Sequence, residues 1–321
     1  MHHAAPAERG QGRASRDARR RPRPRGRAIA KAAPSGGLLL DKPLGITSAR
    51  AVSGVKRLLE KKTRIGHTGT LDPLASGLLV LLIGRATRLS RYVTNLDKAY
   101  TATARFGAVS DTLDAEGEIT DLDAPPPSED AIRDALPTFT GDLFQVPPMT
   151  SALKREGVRL YDLHRRGISV EREARPVTVH SLGLAGLDSA EQTATFEISC
   201  SSGTYVRTLL SDLARFLGSG AYLTALRRTS VGHLSVRDAC TIPDLTPDTL
   251  HNHIIPPLEV VTHLPGVEVP VEVGRGVVCH GRRIGRCRVH GSYRVMCGGE
   301  MLAVYRDDED GGRAEVVLCA E

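Results

Sequence analysis

The chain has 321 residues, of which 40% are apolar and 25% charged, with a formal charge of +6. That length supports a buried core and two domains, and the lack of any eighteen-residue apolar run excludes a transmembrane helix. Six cysteines without a C-x-x-C pair, in a chain with no export signal, read as reduced, mostly buried thiols. The spacings of Cys279, His280, Cys287, His290 and Cys297 fit none of the usual zinc patterns.

Residues 1–34 hold nine Arg and one Lys against Glu8 and Asp17, a net of +8, which leaves the rest two charges negative. The basicity behind the pI near 9.1 therefore belongs to this segment and not to the folded body. Rich in Pro, Gly and Ala, it is expected to be disordered, and it lacks the apolar stretch of a secretory signal.

The first predicted element is a strand at 37–40. Thr47 or Ser48 then caps a helix to about residue 61, with Val52, Val55, Leu58 and Leu59 on one face. Next comes Gly66-His67-Thr68-Gly69-Thr70-Leu71-Asp72-Pro73, a loop shaped by two glycines and a proline around one carboxylate. By itself, an Asp in such a loop is a turn former. The apolar run 77–84 suits a buried strand, although periodicity alone does not exclude a buried helical segment.

Residues 86–94 form a short helix. Residues 100–106 form a strand in which Tyr100 shares the buried face of Ala102, Ala104 and Phe106. The acid-rich stretch 111–118 reads as a turn, 128–136 as a capped helix, and 161–167 as basic and helical. A strand at 193–201 leads to a helix from Gly203-Thr204 to about residue 217, with Tyr205 and Arg207 in its first turn. A cation there opposes the helix dipole, so Arg207 calls for an acidic partner. Beyond residue 262, short strands at 267–271, 287–289, 293–296 and 301–305 suit a small all-β module.

In their order and separation, five motifs resemble the TruB family of tRNA pseudouridine synthases. They are Asp41-Lys42-Pro43, the Asp72 loop, Asp97-Lys98-Ala99-Tyr100, Ser110-Asp111-Thr112-Leu113-Asp114, and Gly203-Thr204-Tyr205-Val206-Arg207. The resemblance implies an α+β pseudouridine synthase fold, a mixed and mainly antiparallel sheet flanked by helices, with a C-terminal β-rich PUA-like domain. It divides the chain into the tail at 1–34, a catalytic domain at 35–261 with a thumb-like insertion at about 139–175, and an RNA-binding module at 262–321.

By the same resemblance Asp72, Tyr100 and Arg207 are catalytic, with Arg207 paired to Asp72 and keeping it ionised. His67, Tyr205, Leu226, Lys42 and Lys154 bind substrate, His67 filling the space left by the flipped base. Lys154, Arg155, Arg159, Arg165 and Arg166 are the expected phosphate contacts of the thumb. The sequence departs from the family at Thr150, where an aromatic residue is usual, and at His164, where Ala is usual.

The implied reaction isomerises uridine-55 in the T loop of tRNA to pseudouridine in the cytoplasm. It is redox-neutral, and no dinucleotide or P-loop fingerprint is present, so no cofactor or metal is expected. The partner is the tRNA T stem-loop, with no membrane and no obligatory protein partner. Three alternatives stand beside this reading: a guide-dependent synthase subunit, an RNA-binding or RNA-folding protein that does not use Asp72, and a glycoside hydrolase. The last needs a second carboxylate facing Asp72.

As a phosphate-binding arm, residues 1–34 should steepen the salt dependence of RNA binding. Comparing log affinity against log salt with and without them checks this; equal slopes would remove the arm.

Overall fold

The structure, a computed structural model, describes residues 34–151, 154–155, 157–164 and 166–319. The basic tail, apart from Pro34, and Arg165 lie outside the described residues, as do the side chains of Lys154, Arg155 and Arg159.

A ten-stranded sheet organises the fold. Its main path runs from Ile254–Ile255 through β1 (Gly36–Lys42), β3 (Ala75–Ile83), the strand Ala221–Val231 and β4 (Lys98–Phe106). It continues through Thr193–Cys200 and Arg175–Asp188 to the edge strand Gly141–Gln145. The short β2 (Ile65–His67) also pairs with β3, antiparallel. Only β3 against Ala221–Val231 is parallel, so the sheet is mixed and mainly antiparallel, as expected.

The apolar run after Asp72 is β3, which settles the choice between strand and helix. Leu78, Val80 and Leu82 enter one core, while Leu79, Leu81 and Ile83 enter the core on the opposite face. A strand covered on both sides needs apolar residues at every position, and each fully buried Leu contributes about 2 kcal/mol relative to exposure.

Several boundaries differ from the sequence expectation. Helix α1 is Ser48–Lys56, capped by the Thr47 hydroxyl, which accepts from Arg50 N. It stops five residues early, because Leu58 and Leu59 turn back onto Val55 and Lys56, and Lys62 sits at φ +76°. The helix expected at 86–94 is a 3-10 segment, Gly84–Leu89, followed by α2 (Ser90–Thr94). Helix α3 (Glu129–Ala135) has Ser128 as its cap, as read from the sequence.

In the thumb region the described pieces are a two-residue hairpin, Lys154–Arg155 with Val158–Arg159, and α4 (Leu160–His164). Helix α5 (Val206–Phe216) has Tyr205 as its N-cap, one step outside the first turn.

The C-terminal part holds a separate four-stranded sheet built from Gly266–Glu268, Ser292–Cys297, Glu300–Asp308 and Gly311–Val317. It is β-rich but not all-β. The stretch from Val271 is a helix, Val271–Gly276, and residues 287–289 form no strand. Met301, Val304 and Val316 share a core with Leu39, Leu78 and Val80 of the large sheet.

The expectation of reduced cysteines is corrected at one pair, because Cys279 is disulfide-bonded to Cys319. That pairing takes Cys279 out of any cluster with His280, Cys287 and His290.

The parallel seam depends on Gly77, whose φ is +97°. A Cβ there would stand 2.3 Å from the Arg228 backbone oxygen and 2.8 Å from its nitrogen. Gly77→Ala should therefore destabilise the protein by about 2–4 kcal/mol, read as a lower denaturant midpoint; an unchanged midpoint would mean the seam is not constrained there.

Candidate active site

The Asp72 loop is fixed from three sides. Ser48 Oγ donates to Leu71 O at 2.9 Å and accepts from Leu71 N at 2.8 Å, tying the loop to the start of α1. Gly45 N donates to Pro73 O at 2.9 Å, and Ala75 N closes the turn on Asp72 O at 3.0 Å. The carboxylate is thus held at the mouth of β3, with 37% of its side chain open to a cleft of about 440 Å³.

Across the cleft, Arg207 from the first turn of α5 is 5% exposed. Its Nη2 meets Asp72 Oδ2 at 2.8 Å and donates to Thr150 O at 2.9 Å. Its Nη1 meets Asp114 Oδ2 at 3.2 Å, donates to Thr112 O at 2.9 Å and contacts the Thr150 hydroxyl. The acidic partner that the helix dipole demanded is therefore a pair of carboxylates. With both Nη atoms bonded, this guanidinium is held in one orientation.

Asp114, which the sequence left as a turn former, is brought to the site by its contact with Arg207. One of its oxygens does form the turn, accepting from Thr112 Oγ1 at 2.7 Å and Glu116 N at 3.1 Å. The other faces Arg207. The family departure at Thr150 also lies in the site, since its hydroxyl and carbonyl both bond Arg207. The other departure, His164, stands 3.5 Å from Asp111.

Burial pushes the Asp72 carboxyl above the usual range, and the Asp114 charge pushes the same way; Arg207 and Lys42 oppose them without cancelling them. Arg207 pulls the Asp72 pKa down, as expected, but not far enough to offset burial. Desolvation outweighs the ion pair.

Tyr100 lies opposite Arg228 in the register of β4 with Ala221–Val231, and both line the cleft with Leu226. Burial raises the Tyr100 hydroxyl pKa, with Arg228 pulling it down. Tyr205 also lines the cleft, and its backbone is clasped by the Gln145 side chain.

Arg228 is a second missed residue. It is 3% exposed, and its guanidinium donates to Leu78 O at 2.7 Å, Gly69 O at 3.1 Å and Thr70 O at 3.5 Å, holding the catalytic loop from behind. Its neighbour Arg227 points the other way, to a bidentate pair with Asp41 at 2.7 and 3.0 Å.

Two expected substrate contacts sit elsewhere. Lys42 is wholly buried and donates to Pro43 O and Ile46 O, its amine pushed down to about 8 by burial, so it supports the loop from outside the cleft. His67 lines a neighbouring hollow and accepts from Gly69 N at 3.4 Å. Burial, with Arg228 nearby, lowers its pKa and keeps the ring neutral. Lys154 lies on the short hairpin, its side chain outside the described part.

The sequence matches the family model "TruB family pseudouridylate synthase (N terminal domain)" over residues 56–206 and the "tRNA pseudouridylate synthase B C-terminal domain" over 207–261. The chain belongs to the TruB family. It is 44% identical to the tRNA pseudouridine synthase B of Aromatoleum aromaticum over 280 residues, covering 86% of this chain and 90% of that protein. It is 43% identical to that of Burkholderia mallei over 290 residues, covering 89% and 91%. The fold is similar to that in a solved Cbf5-Nop10-Gar1 complex, with a TM-score of 0.67 at 24% identity, covering 88% of this chain and 83% of that one.

In this TruB-family enzyme, Asp114→Asn should lower kcat about 10- to 100-fold with RNA affinity held within a few fold. With Asp72 acting in its ionised form, as the family resemblance implies, rate would be lost as pH falls through its pKa. Removing the Asp114 charge lowers that pKa, and the acid limb of the kcat profile should move to lower pH. A limb that stays in place would detach Asp114 from Asp72.

Proposed function

We propose that this TruB-family isomerase converts uridine-55 of the tRNA T loop to pseudouridine, with Asp72 as the essential group. The observation that carries the reading is one carboxylate at the cleft mouth, bonded at 2.8 Å to a buried arginine and lined by Tyr100 and Leu226. No cleft of 440 Å³ reaches a base stacked inside a folded loop, so the target nucleotide is extruded into it.

The flipped uracil rests between Tyr100 and Leu226 with its C1′ facing the Asp72 carboxylate. Asp72 acts at the sugar, either by attack on C1′ or by taking a ribose proton, and the N1–C1′ bond breaks. The freed uracil turns within the pocket and C5 bonds to C1′. The C5 hydrogen leaves to solvent and N1 gains a proton, so atoms balance with no redox change. Tyr100 stacks on the base, and Arg207 fixes the carboxylate throughout.

The thumb at about 139–175, with Lys154, and the C-terminal sheet contact the RNA outside the cleft. That sheet is our PUA-like module at 262–321, and the whole reaction belongs in the cytoplasm beside its tRNA. Among the described residues no helix is long and apolar enough to cross a membrane.

Tritium release from tRNA carrying 5-³H-uridine tests the reading. Release should occur from a transcript with uridine at position 55 and fail with cytidine there. Asp72→Asn should abolish release while RNA affinity stays within a few fold; near-normal release from that variant would sink the assignment of Asp72.

A further inference from the structure

Beside the cleft lies a second hollow of about 570 Å³ that the reaction above does not use. Its walls carry Lys56 from the end of α1 and Lys62 and Arg64 from the turn into β2, with the hydroxyl residues Thr87 and Ser90 opposite and His67 at the end nearest the catalytic loop. No carboxylate lines it.

Three features set these cations apart from a solvated basic face. First, Lys56, Lys62 and Arg64 have no carboxylate partner among the described residues, a state they share with exposed cations such as Arg50, Arg57, Arg237 and Arg275, but here three such cations line one hollow. Second, the chain beyond residue 34 is two charges negative, so an acid-free cluster of three is a local segregation of charge. Third, Lys62 is held at φ +76°, a conformation in which glycine would be at ease and a side chain is strained. The turn thus carries a lysine against its local preference.

The position of the hollow identifies what it meets. Its floor, β2, runs directly into the Asp72 loop, and Arg64 is eight residues before Asp72, at most about 28 Å away even if fully extended. A strand whose base has been drawn into the cleft keeps its neighbouring nucleotides within that reach. Along the chain, His67 stands between Gly69 of the cleft lining and Arg64 of the hollow.

We infer that this hollow is a phosphate-binding track for the substrate strand next to the extruded nucleotide, with Lys56, Lys62 and Arg64 each meeting backbone phosphate. The ligand is a single-stranded RNA backbone, read by charge and not by base. This rests on the proposed reading of the cleft as a site for a flipped uridine. It adds a contact surface on the side of α1 and β2, apart from the thumb and the C-terminal sheet.

The test is the triple variant Lys56→Ser, Lys62→Ser, Arg64→Ser in the full chain; all three side chains are exposed, and an unchanged melting temperature confirms folding. Each lost phosphate contact flattens the plot of log affinity against log salt by about 0.7–0.9. The variant should therefore bind tRNA transcript with a slope shallower by roughly 2 and at least about tenfold more weakly at about 0.1 M salt. Single-turnover tritium release at saturating RNA should stay within about threefold of the parent.

An unchanged slope and affinity would overturn the track, and so would an unchanged slope with a slower saturated rate, which would make the residues positioning groups. Inorganic phosphate should compete with RNA no better than chloride of equal ionic strength. A phosphate-specific competition that vanishes in the variant would make the hollow a free-anion site and overturn the RNA assignment. Failure of the parent protein to release tritium would sink the reaction alone, since the salt slopes are measured independently of turnover.

Discussion

The site depends on how Arg207 is held. Its guanidinium joins the Asp72 loop, the turn at Thr112 and Asp114, and the segment at Thr150, three pieces of chain otherwise far apart in sequence. A buried cation is costly unless it is paired, and here carboxylates on two sides, backbone carbonyls and the Thr150 hydroxyl bond both Nη atoms. The consequence is directional. Arg207 cannot move toward Asp72 without leaving Asp114, so the Asp72 carboxylate is anchored to the fold and not merely neutralised. The second carboxylate also lifts the Asp72 pKa, adding to a burial effect that the arginine only partly offsets.

A second constraint works from behind. Arg228 binds the backbone oxygens of Leu78, Gly69 and Thr70, and so couples the catalytic loop to the start of β3. Its own backbone is pressed against Gly77 in the one parallel pairing of the sheet. Since β3 is buried on both faces, its position is fixed by two cores at once. The loop inherits that rigidity, which is what a carboxylate working at a single carbon requires.

Much of this was legible in the sequence. The strand at β4, the Ser128 cap of α3, and the need of Arg207 for an acid follow from alternation, capping and the helix dipole, and the fold followed from the resemblance. Asp114 was not legible, because its bonds to Thr112 and Glu116 are what any Asp in a turn makes; only the fold sends the other oxygen to Arg207. Adjacent in sequence, Arg227 and Arg228 carry nothing there that tells them apart. The strand's alternation separates them, sending one outward to Asp41 and the other inward to carbonyls, and a cation bonded to carbonyls and without a carboxylate leaves no charge pattern to find. The short α1 and the helix at Val271–Gly276 failed at the level of element boundaries, where packing overrides local preference.

The placement of charge separates two tasks. Lys42, Lys98 and Arg228 are nearly or wholly buried, donate to backbone oxygens, and hold the walls of the cleft; burial brings both lysines down to about 8. Lys56, Lys62 and Arg64 are exposed and carry no acid partner among the described residues. Cations spent on carbonyls are unavailable to a ligand, whereas unpaired exposed cations lose little by meeting one and release counterions when they do. The enzyme therefore has no need of a basic body to bind a polyanion. The three free cations of the hollow add attraction beside the cleft, on a body that is slightly acidic as a whole.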